Sequence, residues 1–259
     1  GADLAGQAAG GLISTTGVDG DSLTPVGATI ADHTASQNMV AGILVALLAR
    51  ERTGQGQRVD VSLLGGQVYA QASEYTAFLM TGQVPGRANR GHPLLPMAYG
   101  ILPTADGYLA LVGVLPDRRQ AFYSTVGCPE LVEDPRFQGT MFTPEARLEL
   151  FELLAEYFPR ATTAEWVERL RAIGVRCASV DDYARASENP QVTINGYLTE
   201  VDHLTGGTAR VVGSPIQLSD TPARPSATAP ELGQHTEEVL LELGYDWDHI
   251  ATLRETGAI

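Results

Sequence analysis

Apolar positions recur with helical spacing from about Thr34 to Arg52, a segment rich in good helix formers, and Thr53-Gly54-Gln55-Gly56 closes it. A long helix is predicted there. Arg58-Val59-Asp60-Val61-Ser62 alternates like a strand, and Leu63 to Met80 reads as helix again. Ahead of them, residues 1 to about 15 form a short small-residue helix, followed by the turn-rich Val18-Asp19-Gly20-Asp21. Helix, strand, helix in that order suggests part of an α/β layer rather than a bundle.

The pattern changes at Thr81 to Pro96, where Gly, Pro, Arg and Asn crowd together as in a loop or linker. Ala98 to Leu102 and Tyr108 to Val114 then flank Pro103-Thr104-Ala105-Asp106-Gly107, a hairpin signal. Arg118 to Gly127, Pro144 to Tyr157 and Thr163 to Ile173 have amphipathic helical spacing, the last with a cap at Thr163-Ala164-Glu165 and a stop at Gly174. Trp166, at helical spacing from Leu170, reads as core. Val175 to Val180 is expected as a strand and Asp181 to Ala186 as a short helix. A second hairpin is expected over Val201 to Val212 around Gly206-Gly207. After a Pro-rich connector, Ser219 to Pro230, come a helix from about Thr236 to Leu243 and a last turn or helix over Asp246 to Thr256. Two domains are expected, with the break in the Gly/Pro-rich stretch and a return near residue 200.

Charge narrows the partners. Seventeen basic against thirty-one acidic residues leave a net charge of -14 in 259 residues, which argues against nucleic acid or an anionic membrane surface. Every basic residue is Arg. Without Lys, P-loop phosphate binding and Schiff-base chemistry are closed to this chain. Two distant cysteines, Cys128 and Cys177, offer neither a disulfide framework nor a zinc site, and five scattered histidines form no HxxxH pair, so no metal is expected. No apolar stretch is long enough to span a bilayer. The cytoplasm is the expected compartment.

Asp32 stands out among candidate chemical groups. It follows the small-residue run Pro25-Val26-Gly27-Ala28-Thr29-Ile30-Ala31, at the start of the long helix, where backbone N–H groups and the helix dipole favour an anion. Such a carboxylate can act as a nucleophile or simply cap the helix. His33 beside it is a polar first-turn residue or an acid/base group, and His92 is a loop residue that could face a substrate. Neither GxSxG nor GxGxxG occurs, which leaves hydrolase and nicotinamide readings without support.

An ordered set of motifs runs through the chain. It comprises Gly1-Ala2-Asp3-Leu4 with Gln7-Ala8 and Gly10-Gly11, Ala31-Asp32, and Arg50 to Ser62. Pro103 to Tyr108, Asp134-Pro135-Arg136-Phe137, Asn189-Pro190, Gly213-Ser214-Pro215 and Gln234 to Leu240 continue it. Each motif is weak alone; together they resemble the class III CoA-transferases, the CaiB/BaiF or formyl-CoA transferase-like family that also includes acyl-CoA racemases. The resemblance implies an α/β fold in which this chain is the C-terminal part of a Rossmann-like large domain plus a smaller α+β domain. Residues 1–80 would carry the nucleophile, 81–200 the linker and small domain, and 201–259 a return to the large domain and a C-terminal helix.

The same resemblance implies that Asp32 is the catalytic aspartate, attacking an acyl-CoA thioester to give a mixed anhydride and then an aspartyl-CoA thioester. Ala2, Ala31 and Leu63 would lie beside coenzyme A, with Ala2 in place of a usual Tyr and Leu63 in place of a frequent Met. A substrate loop would fall at Gly91, His92 and Pro93; as Gly91 to Pro96 it is stiffer and more apolar than a poly-glycine flap, which argues against an oxalate-type acceptor. Ala2 and the Glu-free segment Val112 to Asp117 lack the two bases a racemase needs. The substrates implied are an acyl-CoA and a carboxylic acid, and the assembly a homodimer or a complex with a chain supplying the N-terminal half and its basic contacts to CoA. Two other readings stay open: a non-catalytic partner subunit in which Asp32 only caps a helix, and a racemase or lyase of the same family.

Overall fold

Glycine and alanine decide how the first helices meet. In a computed structural model, which describes residues 1–88, 91–139, 141–203, 206–223 and 228–259, the opening segment forms α1 (Asp3–Ala9) and α2 (Leu12–Thr15), and the long helix is α3 (Ile30–Thr53). A Cβ added to Gly6 would come within 2.8 Å of the Ala31 Cβ on α3. On Gly10 it would lie 2.4 Å from the Gln67 Cβ of α4 (Leu63–Ala70), and on Gly66 3.3 Å from the Ala35 nitrogen. Side chains of any size would hold these three helices apart. The layer ends in α5 (Ala72–Thr81).

Two of the expected helices are broken. The first is interrupted at Gly10 and Gly11, where Gly11 adopts φ 81°, a left-handed conformation that glycine tolerates without strain. The second is interrupted at Gln71, whose buried side chain donates to the Gly10 carbonyl at 2.7 Å and the Gln67 carbonyl at 3.0 Å. Arg58–Ser62 runs extended without becoming a strand. A strand needs a neighbour to accept its ladder, and none is paired with it among the described residues. Val59 packs instead on α3, where Gly42 leaves it room.

Alternation in the next segment builds a three-stranded antiparallel sheet, order β1-β2-β3, from β1 (Tyr99–Pro103), β2 (Tyr108–Val112) and β3 (Cys177–Ser179). Ile101 lies opposite Ala110 and Leu111 opposite Cys177. One face carries the buried Leu102, Leu109 and Leu111, covered by α6 (Arg119–Val126), α7 (Pro144–Tyr157) and α8 (Thr163–Ala172). Phe122, Phe137, Phe151, Phe158, Trp166 and Leu170 fill the space between. Trp166 stacks on Phe158 at 4.7 Å and donates its indole N–H to the Phe158 carbonyl.

The cap of α8 lies one residue earlier than expected. Thr162 and Glu165 form a reciprocal capping box, which frees Thr163 to turn inward. Its hydroxyl lies 2.6 Å from that of Thr104 and 2.9 Å from Asp106, whose carboxylate also accepts from the Thr163 N–H at 2.7 Å. Those bonds hold the Asp106 carboxyl below the usual carboxylate range and tie the hairpin turn to α8.

The chain divides into two compact units, Gly1–Val180 and Asp181–Ile259. The second contains α9 (Tyr183–Ser187), α10 (Pro190–Ile194), the antiparallel hairpin of β4 (Leu198–Asp202) and β5 (Thr208–Val212), α11 (Thr236–Glu242) and α12 (Trp247–Glu255). Val201 and Ile250 are its buried apolar residues among those described. Residues 89–90 of the loop stretch, 204–205 of the second hairpin and 224–227 of the Pro-rich connector lie outside the described residues.

Candidate functional site

Asp32 is not the cap of its helix. Helix α3 begins four residues earlier than its spacing suggests, at Ile30, so Asp32 is its third residue. The residue at the cap position, Thr29, makes no side-chain cap bond. That role falls to another helix: the Asp3 carboxylate of α1 accepts the Ala31 N–H at 2.8 Å. Asp32 itself is exposed and, among the described residues, its side chain makes no hydrogen bond or ion pair.

The expected contact residues Ala31 and Leu63 meet at Gly6 of α1. Ala31 is fully buried against Gly6, and the Leu63 Cβ would sit 3.2 Å from a Cβ on Gly6. Gly1 brings the same leucine within 3.3 Å of its own Cβ position, and Ala2 starts α1 beside it. Asp3, Ala31 and Leu63 thus bring together the N-terminal ends of α1, α3 and α4. Farther along the α3–α4 seam a cavity of about 370 Å³ opens between Asn38, Asp60, Ser62 and Gly65.

The loop at Gly91, His92 and Pro93 is fastened elsewhere. Nε2 of His92 lies 3.0 Å from Glu74 on α5, and its Nδ1 accepts from the Leu94 N–H at 3.2 Å. That pairing assigns the ring proton to Nε2 and leaves neither nitrogen free. Beneath the loop, the buried Arg147 of α7 donates to the carbonyls of Ala88, His92 and Leu95. Burial holds its guanidinium below the usual arginine range. A Cβ on Gly91 would meet the Tyr99 carbonyl at 2.7 Å, so glycine is required there. None of these bonds reaches Asp32.

Sequence reasoning did not assign roles to Asp3 and Gln7. Their signal is a pair of polar residues one turn apart on a helix otherwise made of Gly, Ala and Leu, which places both on one face. No group of three or more His, Cys, Asp or Glu side chains that could hold a metal occurs among the described residues, and no described helix is long and apolar enough to cross a membrane.

The profile of CoA-transferase family III matches residues 1–236, and the chain belongs to that family. It is 31% identical to the formyl-CoA:oxalate CoA-transferase of Streptomyces coelicolor, covering 99% of this chain and 66% of that protein. To the succinyl-CoA:glutarate CoA-transferase of Mus musculus it is 28% identical, covering 100% of this chain and 59% of the relative. A crystal structure of a CaiB/BaiF family protein from Brucella suis superposes with a TM-score of 0.81 at 26% identity, over 94% of this chain and 63% of that one. The mixed helix and strand architecture is therefore that of the class III CoA-transferase fold. The chain spans less than two thirds of the length of these relatives.

Proposed function

We propose that this chain carries the nucleophile of an enzyme that moves coenzyme A from an acyl-CoA to a carboxylic acid. The observation that carries the reading is Asp32: exposed, on the first turn of a 24-residue helix, and relieved of capping by Asp3. Membership of a family whose relatives bear CoA-transferase names supports the reaction class.

In this reading an Asp32 carboxylate oxygen attacks the thioester carbonyl, the C–S bond breaks, and CoA leaves as thiolate from a mixed anhydride. The thiolate then attacks the aspartyl carbonyl, releasing the acyl group as a free carboxylate and leaving an aspartyl-CoA thioester. The acceptor carboxylate attacks that thioester, expelling the thiolate and forming a second anhydride. Attack of the thiolate on the acceptor's carbonyl gives the new CoA ester and regenerates Asp32. Every intermediate is an activated acyl group, so no single step carries the whole cost of exchange. Transfer is favoured over racemisation because Ala2 and the Val112–Asp117 segment lack the two bases.

Ala2, Ala31 and Leu63 would line the thioester end of coenzyme A, and Gly91, His92 and Pro93 would be the substrate loop. With no Lys and a net charge of -14, the chain is poorly suited to the CoA phosphates. A homodimer, or an assembly with a chain resembling the N-terminal part of the relatives, would supply those contacts. Residues 1–80 and 201–259 would then belong to the large domain and 81–200 to the linker and small domain, in a cytoplasmic enzyme.

The test is chemical trapping on the active assembly. After incubation with an acyl-CoA, hydroxylamine should convert Asp32 to its hydroxamate, detected in the peptide that carries it. Asp32→Asn should abolish both label and turnover. Undiminished turnover in that variant ends the proposal.

A further inference from the structure

Resting on that reading, we infer that Gln7, with Asp3, is a positioning residue for Asp32. Gln7 is 1% exposed, although it sits on a seven-residue helix of small side chains. Its amide is almost wholly employed on the segment that leads into α3. Oε1 accepts the Val26 N–H at 2.9 Å, and Nε2 donates to the Ala28 carbonyl at 3.2 Å and more weakly to that of Val26 at 3.4 Å. Nε2 also donates to Asp3 Oδ2 at 2.7 Å, while the other oxygen of that carboxylate holds the Ala31 N–H.

The chain is therefore gripped at Val26, Ala28 and Ala31, up to the residue before Asp32. The grip is rigid for two reasons. Gly6 brings α1 into direct contact with Ala31, and Gly10 brings it against Gln67, so α1 is seated directly on α3 and α4. Asp3 in turn is fixed by its bond to Gln7, so the cap on α3 and the lead-in loop move together. A nucleophile that must meet a thioester carbonyl, then a thiolate, then a second carboxylate gains from such a mount, since a misplacement of about 1 Å can cost on the order of 100-fold in rate.

Gln7→Met keeps the shape and removes every one of these bonds. In the active assembly it should lower kcat by about 100-fold with KM for both substrates unchanged. Amide hydrogen exchange in the peptide spanning Ala28 to Asp32 should speed up in the same variant. Thr163→Val is the control: its buried hydroxyl bonds Thr104 and Asp106 at the sheet and not α1 or the lead-in segment, so kcat and exchange near Asp32 should stay at parent values. Should Gln7→Met fail to fold, Asp3→Asn decides. It retains an acceptor for Ala31 but sets an NH₂ against the Gln7 Nε2, and should show the same split between kcat and KM.

Parent-like kcat in Gln7→Met, or an equal loss in Thr163→Val, overturns the inference. Asp32→Asn run beside them separates the two claims: an active Asp32→Asn removes the nucleophile itself, whereas an inactive one beside a fully active Gln7→Met removes only the mount.

Discussion

Helices α1 to α5 and the sheet-centred body that follows bury opposite kinds of side chain. The body, from Ala98 to Cys177, hides phenylalanine, leucine and tryptophan behind its sheet. The helical layer hides Gln7, Gln67 and Gln71 with small residues, and shows solvent Leu44 at 61%, Val45 at 65%, Leu79 at 76% and Met80 at 81% exposure. A helix apolar on more than one face belongs inside something larger, and apolar surface on this scale marks an interaction face. The body can be stable by its own packing, whereas the layer that carries Asp32 is only half enclosed. In the function proposed above, the segment or subunit that completes the CoA site would also cover this face.

The largest effect should come from the body. Phe151 is 1% exposed among Phe122, Leu154 and Trp166, and Phe151→Ala should cost about 3–5 kcal/mol of unfolding free energy by denaturant titration. A loss below about 1 kcal/mol would mean that this core does not dominate stability, and the contrast would collapse.

A smaller change, of opposite sign, is expected where the layer buries polarity without using it. Gln67 is fully buried, yet neither its amide nitrogen nor its oxygen has a partner among the described residues. An unsatisfied buried polar group costs about 1–3 kcal/mol. Replacing it by a near-isosteric methionine should therefore raise stability by about 1–2 kcal/mol, read as a higher midpoint in denaturant. Gln7 makes the useful contrast, because its amide is spent on the lead-in to α3 and its replacement should destabilise. If Gln67→Met destabilises, the amide has a partner and the seam is polar by design.

How much of this was legible beforehand follows the same divide. In the body, local signals were sufficient: Pro144 to Tyr157 is a helix end to end, and the Asp106-Gly107 turn joins two paired strands as expected. Those elements are specified by neighbours in sequence, through caps, turn residues and alternation. In the layer, the outcome depends on partners that local pattern does not name. Arg58–Ser62 alternates like a strand, yet no described strand adjoins it. Helix α3 starts at Ile30 because Asp3, 28 residues away, supplies its cap. The residue type and place of Asp32 were readable; its freedom from capping was not, because that is set by a long-range bond. The partners of His92, Glu74 and the Leu94 amide, are unreadable for the same reason, since Glu74 lies 18 residues back on another element.

The smallest effect tests the half-enclosed layer most directly. Leu44 is 61% exposed in mid-α3, and leucine and glutamine have nearly equal helix propensity. Little burial and little propensity are lost in Leu44→Gln, so the chain by itself should keep its stability within about 0.5 kcal/mol. The comparison sharpens if the same substitution is measured at rising protein concentration. A parent whose unfolding midpoint climbs with concentration while that of Leu44→Gln stays level is covering this face by association. A loss near 2 kcal/mol in dilute, monomeric protein would instead show that α3 already lies inside a core, and the distinction between a self-sufficient body and an open layer would be gone.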